Sequence, residues 1–157
     1  ALDCETAYNV YEQIVYSEID KYYHIKKSID PREGEEFIEE EGLVLNGLKE
    51  GKWNYKNNCQ AGDEYIYYKN GEKDGEYHYY DLGGGVSQID GFYIKNKKSG
   101  LWCYFSYDPG EKKSHSNEGE YKNDKQHGKW TTTVNDTLIK TEVFEMGELL
   151  KTIVNND

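Results

Sequence analysis

Four histidines (His24, His78, His115 and His127) and three cysteines (Cys4, Cys59 and Cys103) are the side chains of this 157-residue chain most suited to acid–base, nucleophilic or metal chemistry. Their spacing supports none of it. Zinc takes four ligands in short paired steps, and no histidine here has a second ligand at such a step. Cys103 lies between Trp102 and Tyr104, a setting in which a thiol is an inert small hydrophobe. Gly83-Gly84-Gly85 lacks the Lys-Ser/Thr and the helix start that a phosphate loop needs. Carboxylates are abundant, yet an exposed acidic cluster has no reason to shift a pKa toward catalysis. Asp81 and Asp108 lack calcium-loop spacing. The expectation is a non-enzymatic protein with no metal and no cofactor.

The elements that carry these residues are repetitive. From about residue 42, four segments align: GLVLNGLKEGKW from Gly42, IYYKNGEKDGEY from Ile66, GFYIKNKKSGLW from Gly91 and GEYKNDKQHGKW from Gly119. A glycine (Gly51, Gly75, Gly100, Gly128) stands nine residues into each, and an aromatic (Trp53, Tyr77, Trp102, Trp130) follows two residues later. A partial fifth unit carries Phe144 and Gly147. The repeat is 24 to 28 residues long.

Alternation such as Lys52-Trp53-Asn54-Tyr55 marks a half-buried strand. Asn46-Gly47, Asn70-Gly71 and Asn123-Asp124 are hairpin turns, and the second glycine of each unit reads as a bulge or close backbone approach. A lone hairpin is marginal in water, so the units must stack into one elongated antiparallel sheet that shares an aromatic row. That row comprises Val44, Trp53, Tyr55, Tyr68, Tyr77, Tyr79, Tyr93, Trp102, Tyr104, Tyr121, Trp130 and Phe144. The opposite face is apolar in the first three repeats and polar in the fourth.

Ahead of the repeats, Ala7, Val10, Tyr11, Ile14, Val15, Ile19, Tyr22 and Tyr23 recur at helical spacing. An N-terminal helix is therefore expected, capped by Asp3 or Thr6, followed by an acidic linker through Glu33–Glu41. The domains are then 1–41, helix and linker, and 42–157, repeat sheet (about 42–58, 64–81, 90–107, 118–134 and a partial 140–154). The helix is the expected cover for the second sheet face.

The net charge is −11. Residues 1–42 hold 12 acids against 4 bases, and residues 43–157 hold 18 against 15. Such a surface repels nucleic acid and steers toward basic partners. Low hydrophobic content (36%) would suit a disordered chain, but 15% aromatics, including 16 tyrosines, argues for a fold. No apolar run is long enough to span a bilayer. No signal peptide is visible, and the chain begins at Ala1, so both a cytoplasmic and an exported, trimmed form fit. A Cys4–Cys59 bridge fits the second and free thiols the first.

The pattern of Gly-x-Tyr, an Asn-Gly turn and then Gly-Lys-Trp-x-Tyr resembles the MORN repeat. It resembles most the bacterial MORN-variant group described as antitoxin components (YwqK-like). GLKEGKWNYKNN, YYKNGEKDGEYHYY, YKNDKQHGKW and the closing FEMGELLKTIV carry the match, which spans roughly residues 42–154. The resemblance implies a repeat sheet used for protein contact, and the antitoxin description implies neutralising a partner toxin. We expect an interaction module for a basic protein. Its contact residues would be Glu36, Glu39, Glu40, Glu41, Tyr80, Asp81, Phe105, Tyr107 and Asp108. The other expectation is recognition of glycan or cell-wall material by exposed Tyr and Trp.

Overall fold

The computed structural model describes residues 9–18, 21–29, 34–57 and 62–155. They form β1 (Asn9–Glu18), β2 (Lys21–Ile29), β3 (Glu36–Leu45), β4 (Leu48–Asn57), β5 (Gly62–Lys69) and β6 (Glu72–Asp81). There follow β7 (Val86–Ile94), β8 (Lys97–Lys98), β9 (Gly100–Asp108), β10 (Lys113–Lys122), β11 (Lys125–Val134), β12 (Thr137–Glu145) and β13 (Glu148–Val154). All lie in one antiparallel sheet whose strands neighbour one another in chain order, with the short β8 paired to β7. The fold is a row of consecutive hairpins.

The turns obey hairpin chemistry. Both central residues have positive φ in Asn46-Gly47 (51° and 76°), Asn70-Gly71 (50° and 79°) and Asn123-Asp124 (51° and 66°). That is the backbone that matches strand twist. Lys95-Asn96, Asn135-Asp136 and Met146-Gly147 do the same with less typical residues. Four of these turns also dock on the hairpin before them. Gly71 N–H donates to Lys49 O at 2.9 Å, Asn96 to Lys73 O at 2.8 Å, Asp124 to Lys98 O at 3.0 Å and Gly147 to Gln126 O at 2.8 Å. One margin of the sheet is therefore stitched by a bond that recurs with the repeat.

The second glycine of the unit is a bulge. Residues 51–53 stand against Gly42 alone, and residues 128–130 against Gly119 alone. Gly51 and Gly128 sit at φ 67° and 70°, where a side chain is strained. The extra residues swing the following tryptophan over the neighbouring strand. Trp53 covers Gly42, Trp102 covers Gly91 and Trp130 covers Gly119, and a Cβ built on any of the three glycines would stand 2.3 Å from the ring. Each indole N–H then donates to the next carbonyl: Trp53 to Leu43 O (3.0 Å), Trp102 to Phe92 O (3.2 Å) and Trp130 to Glu120 O (3.1 Å). The ring is buried and its polar tip is satisfied.

These indoles, at 1–2% exposure, and Val44 and Ile66 are the buried core. Tyrosines bridge them. Trp102 stacks on Tyr77 and Tyr104 and takes Tyr93 and Tyr121 edge-on, and Trp130 is packed by Tyr104 and Tyr121 in the same way. The expected aromatic row is present.

The N-terminal helix is not. Residues 9–18 and 21–29 are strands, and no helix occurs among the described residues. The proposed caps Asp3 and Thr6 lie outside those residues. The apolar positions that fit a helical stripe are mostly β-branched or aromatic, and a short run of them suits a strand equally well. The extra hairpin lengthens the sheet instead of crossing it. The stretch read as an acidic linker is also strand from Glu36 onward, because Lys26 and Lys27 on β2 hold its glutamates.

Candidate interaction surfaces

One face of the sheet is the tryptophan ladder, and lysines finish it. Lys49 Nζ stands 3.9 Å from the Trp53 ring centre and donates to Tyr55 Oη at 2.9 Å. Lys98 Nζ repeats this, 4.3 Å from Trp102 and 3.0 Å from Tyr104 Oη. The ammonium meets the electron-rich ring faces. Burial first, then the bond with Tyr68, pushes the Tyr55 hydroxyl far above its usual range. Burial and the Tyr104 hydroxyl push Tyr121 up to about 12. These phenols stay neutral and structural near pH 7. The ladder reaches one strand further than expected, since His24 on β2 stacks 5.5 Å from Trp53 and pairs with Glu40 at 3.1 Å.

The other face carries a row of functional side chains that adjacent strands place opposite one another. It runs Glu41, Asn54, Tyr65, His78, Asp90, Cys103, Glu118 and Thr131. His78 Nδ1 lies 2.6 Å from Asp90 Oδ1, and its ring stacks on Tyr65 at 5.2 Å. Cys103 stands beyond Asp90 on β9. His78 and Cys103 are thus two strand spacings apart, about 9.5 Å, too far for a nucleophile–base pair. Burial, then Glu118, then Asp90 raise the Cys103 thiol, the reverse of activation. Cys4 and Cys59, and with them the bridge considered above, lie outside the described residues.

The anticipated contact residues fall into two places. On β3, Glu36 pairs with Lys27 (3.6 Å) and Glu39 with Lys26 (3.1 Å), with Ser28 also donating to Glu39. Partial burial pushes the Glu39 carboxyl up, but those two hydrogen bonds outweigh it and hold it below the usual carboxylate range. Glu40 faces the ladder, 3.7 Å from Lys49. Glu41 faces the other side, where Asn54 donates to it at 3.4 Å. Beside them β3 and β4 diverge, and a groove of about 560 Å³ opens, lined by Glu36, Phe37, Glu41, Asp63, Glu64 and Tyr65 among others.

The second place is three or more strands away. Tyr80 and Phe105 flank Gln88 on one cross-strand row. Asp81, Tyr107 and Asp108 line a shallow hollow with Gly83–Gly85. Asp81 accepts from Gly83 N–H at 2.8 Å, and Asp108 from Gly110 at 2.8 Å and Glu111 at 3.1 Å. Both aspartates are therefore engaged in closing loops. Sequence reasoning missed His24 and the lysine lids; a lysine two residues past three of the turns (Lys49, Lys73, Lys98) was the available signal.

With the helix absent, the face opposite the ladder has no cover among the described residues. Phe92, Ile94, Leu101 and Phe105 are 38–58% exposed on it. In class this is a mainly-β hairpin-repeat protein, one sheet with a dry aromatic face and an open mixed face. Neither a family model nor a curated protein matches the chain.

Proposed function

We propose that this chain is a non-enzymatic, MORN-like interaction module whose open face engages a basic protein, in the manner of an immunity or antitoxin protein. The observation that carries the reading is the uncovered face. Phe92, Ile94, Leu101 and Phe105 stand exposed together beside Tyr67 and Tyr80, and patches of this kind mark interaction surfaces. The acidic β3–β5 groove at one end supplies steering for a positively charged partner. The raised Cys103 thiol and its separation from His78 support the non-enzymatic part.

The test is affinity capture from the source cell at low and at high salt, with the chain and with a Phe92→Asp/Leu101→Asp variant. A basic protein retained by the parent chain, weakened by salt and lost with the double variant, is the expected result. Capture that ignores both salt and the two substitutions overturns it.

A further inference from the structure

The open face changes character along its length. Up to β9 it carries bulky side chains such as Tyr80, Phe92 and Phe105, whereas on β10 and β11 it carries Ser114, Ser116, Thr131 and Thr133. The step between the two is a hollow. Ser116 stands directly between Phe105 on β9 and Thr133 on β11. The flanking pair is two strand spacings apart, about 9.5 Å, and the serine between them is too short to fill the gap. A trough of about 290 Å³ results. Glu118 closes one end of it. Asp136 closes the other, in the turn whose Asn135 side chain accepts from the Ser114 N–H at 2.9 Å.

The lining selects a ligand. One wall is apolar, since Phe105 is 38% exposed and its ring offers a flat face to C–H groups. The three tryptophans, at 1–2% exposure, are spent on the ladder. The remaining lining is hydroxyl and carboxylate. Thr131 Oγ1 donates to Glu118 Oε1 at 3.4 Å, and Cys103 Sγ reaches Glu118 Oε2 at 3.8 Å. The side chains of Ser116, Thr133 and Asp136 make no hydrogen bond among the described residues. Hydroxyls both donate and accept, and carboxylates accept, which matches a ligand rimmed with hydroxyl groups. No lysine or arginine lines the trough, and its two carboxylates repel an anion. Those carboxylates do not converge on one cation, because Glu118 and Ser114 are four strand residues apart, about 13 Å. Both edges of β10 are already paired, so no peptide strand can add there.

We propose that the β9–β11 trough is a binding site for one neutral pyranose unit of an oligosaccharide. The C–H face of the sugar packs on Phe105 above the Ser116 floor. Its rim hydroxyls bond to Ser116, Thr133, Glu118 and Asp136. Small-molecule sites have this make-up, an apolar wall with a few placed polar groups. The site goes beyond the partner surface proposed above and shares only Phe105 with it.

Chemical-shift titration of the 157-residue chain tests it, with maltotriose, cellotriose, mannotriose and N-acetylchitotriose as neutral probes and trigalacturonate as the anionic control. At least one neutral trisaccharide should bind with a dissociation constant of about 1 mM, as suits a small open site. Its shifts should centre on β9–β11, and trigalacturonate should give none. Phe105→Ala should weaken binding by at least about tenfold. Ser116→Leu, which fills the floor, should abolish it. Thr133→Val keeps the shape, removes one hydroxyl and should weaken binding about threefold to tenfold. All three positions lie on the open side of the sheet, so circular dichroism and tryptophan emission should match the parent chain. No binding by any of the four neutral sugars overturns the proposal. So does binding that survives Ser116→Leu, or trigalacturonate binding as tightly as the neutral sugars.

Discussion

The hairpin β5–β6 differs from the hairpins around it at a single seat. In β3, β7 and β10 the seat is glycine, and the indole eleven residues later lies directly on its backbone. In β5 the seat is Ile66, 4% exposed, and the ring eleven residues later is Tyr77. Ile66 is flanked by Trp53 on one side and Tyr77 on the other. Tyr77 in turn leans on the next unit, stacking 5.5 Å from Trp102. Seat and ring are therefore one choice made at two places in the chain. Bare backbone admits an indole, and a branched side chain admits only a smaller ring.

Removing the rings measures the difference most directly. Trp102→Ala should cost about 4 kcal/mol, and Tyr77→Ala about 2 kcal/mol because that ring is only half-buried. Urea unfolding followed by circular dichroism reads both, and equal losses would erase the distinction between the two seats.

Filling a glycine seat comes next. Gly91→Ala should cost about 2–3 kcal/mol, since the methyl group meets a rigid ring held on four sides by tyrosines. In a Trp102→Tyr background the same change should cost at least about 1 kcal/mol less. Strict additivity in that cycle would show that the ring is not what forbids a side chain. The converse exchange is milder. Tyr77→Trp should cost about 1–2 kcal/mol beside Ile66, and should be neutral or stabilising once Ile66→Gly has opened the seat.

Most of this architecture is legible in the residues, because glycine and tryptophan at fixed separation leave few alternatives. The Asn-Gly turns, the bulge at each second glycine and the buried row all follow from local chemistry. The N-terminal region carries no such punctuation between residues 9 and 29. Val10, Tyr11, Ile14, Val15, Tyr22 and Tyr23 satisfy a helical stripe and a strand alike, and only pairing with β3 decides between them. The contact residues were harder still. Charge alone suggests free glutamates on a linker, whereas β2 brings Lys26, Lys27 and Ser28 against them from 9 or more positions away in sequence. Row-mates such as His78, Asp90 and Cys103 are set by strand register, which depends on three-residue bulges that a sequence pattern signals but does not count.

The smallest expected effect is also the one that separates the seats chemically, since an indole cannot ionise and a phenol can. Burial, and then Glu64, raise the Tyr77 hydroxyl well above its ordinary value of 10.0. The folded chain therefore holds that proton more tightly than the unfolded chain. The associated stability is present in full below pH 10 and is lost as pH rises past 10 toward the folded value. Tyr77→Phe keeps the ring and removes the proton. It should change stability at pH 7 by no more than about 1 kcal/mol and flatten the decline above pH 10. Tyr121, raised to about 12, leaves part of that decline in place. Carrying Ile66→Gly and Tyr77→Trp together should flatten the decline as Tyr77→Phe does, because the seat would then match its neighbours. Urea midpoints at pH 7, 10 and 11 measure this. A decline as steep in both variants as in the parent chain would mean that the seat does not sense alkali, and that its tyrosine differs from tryptophan in size alone.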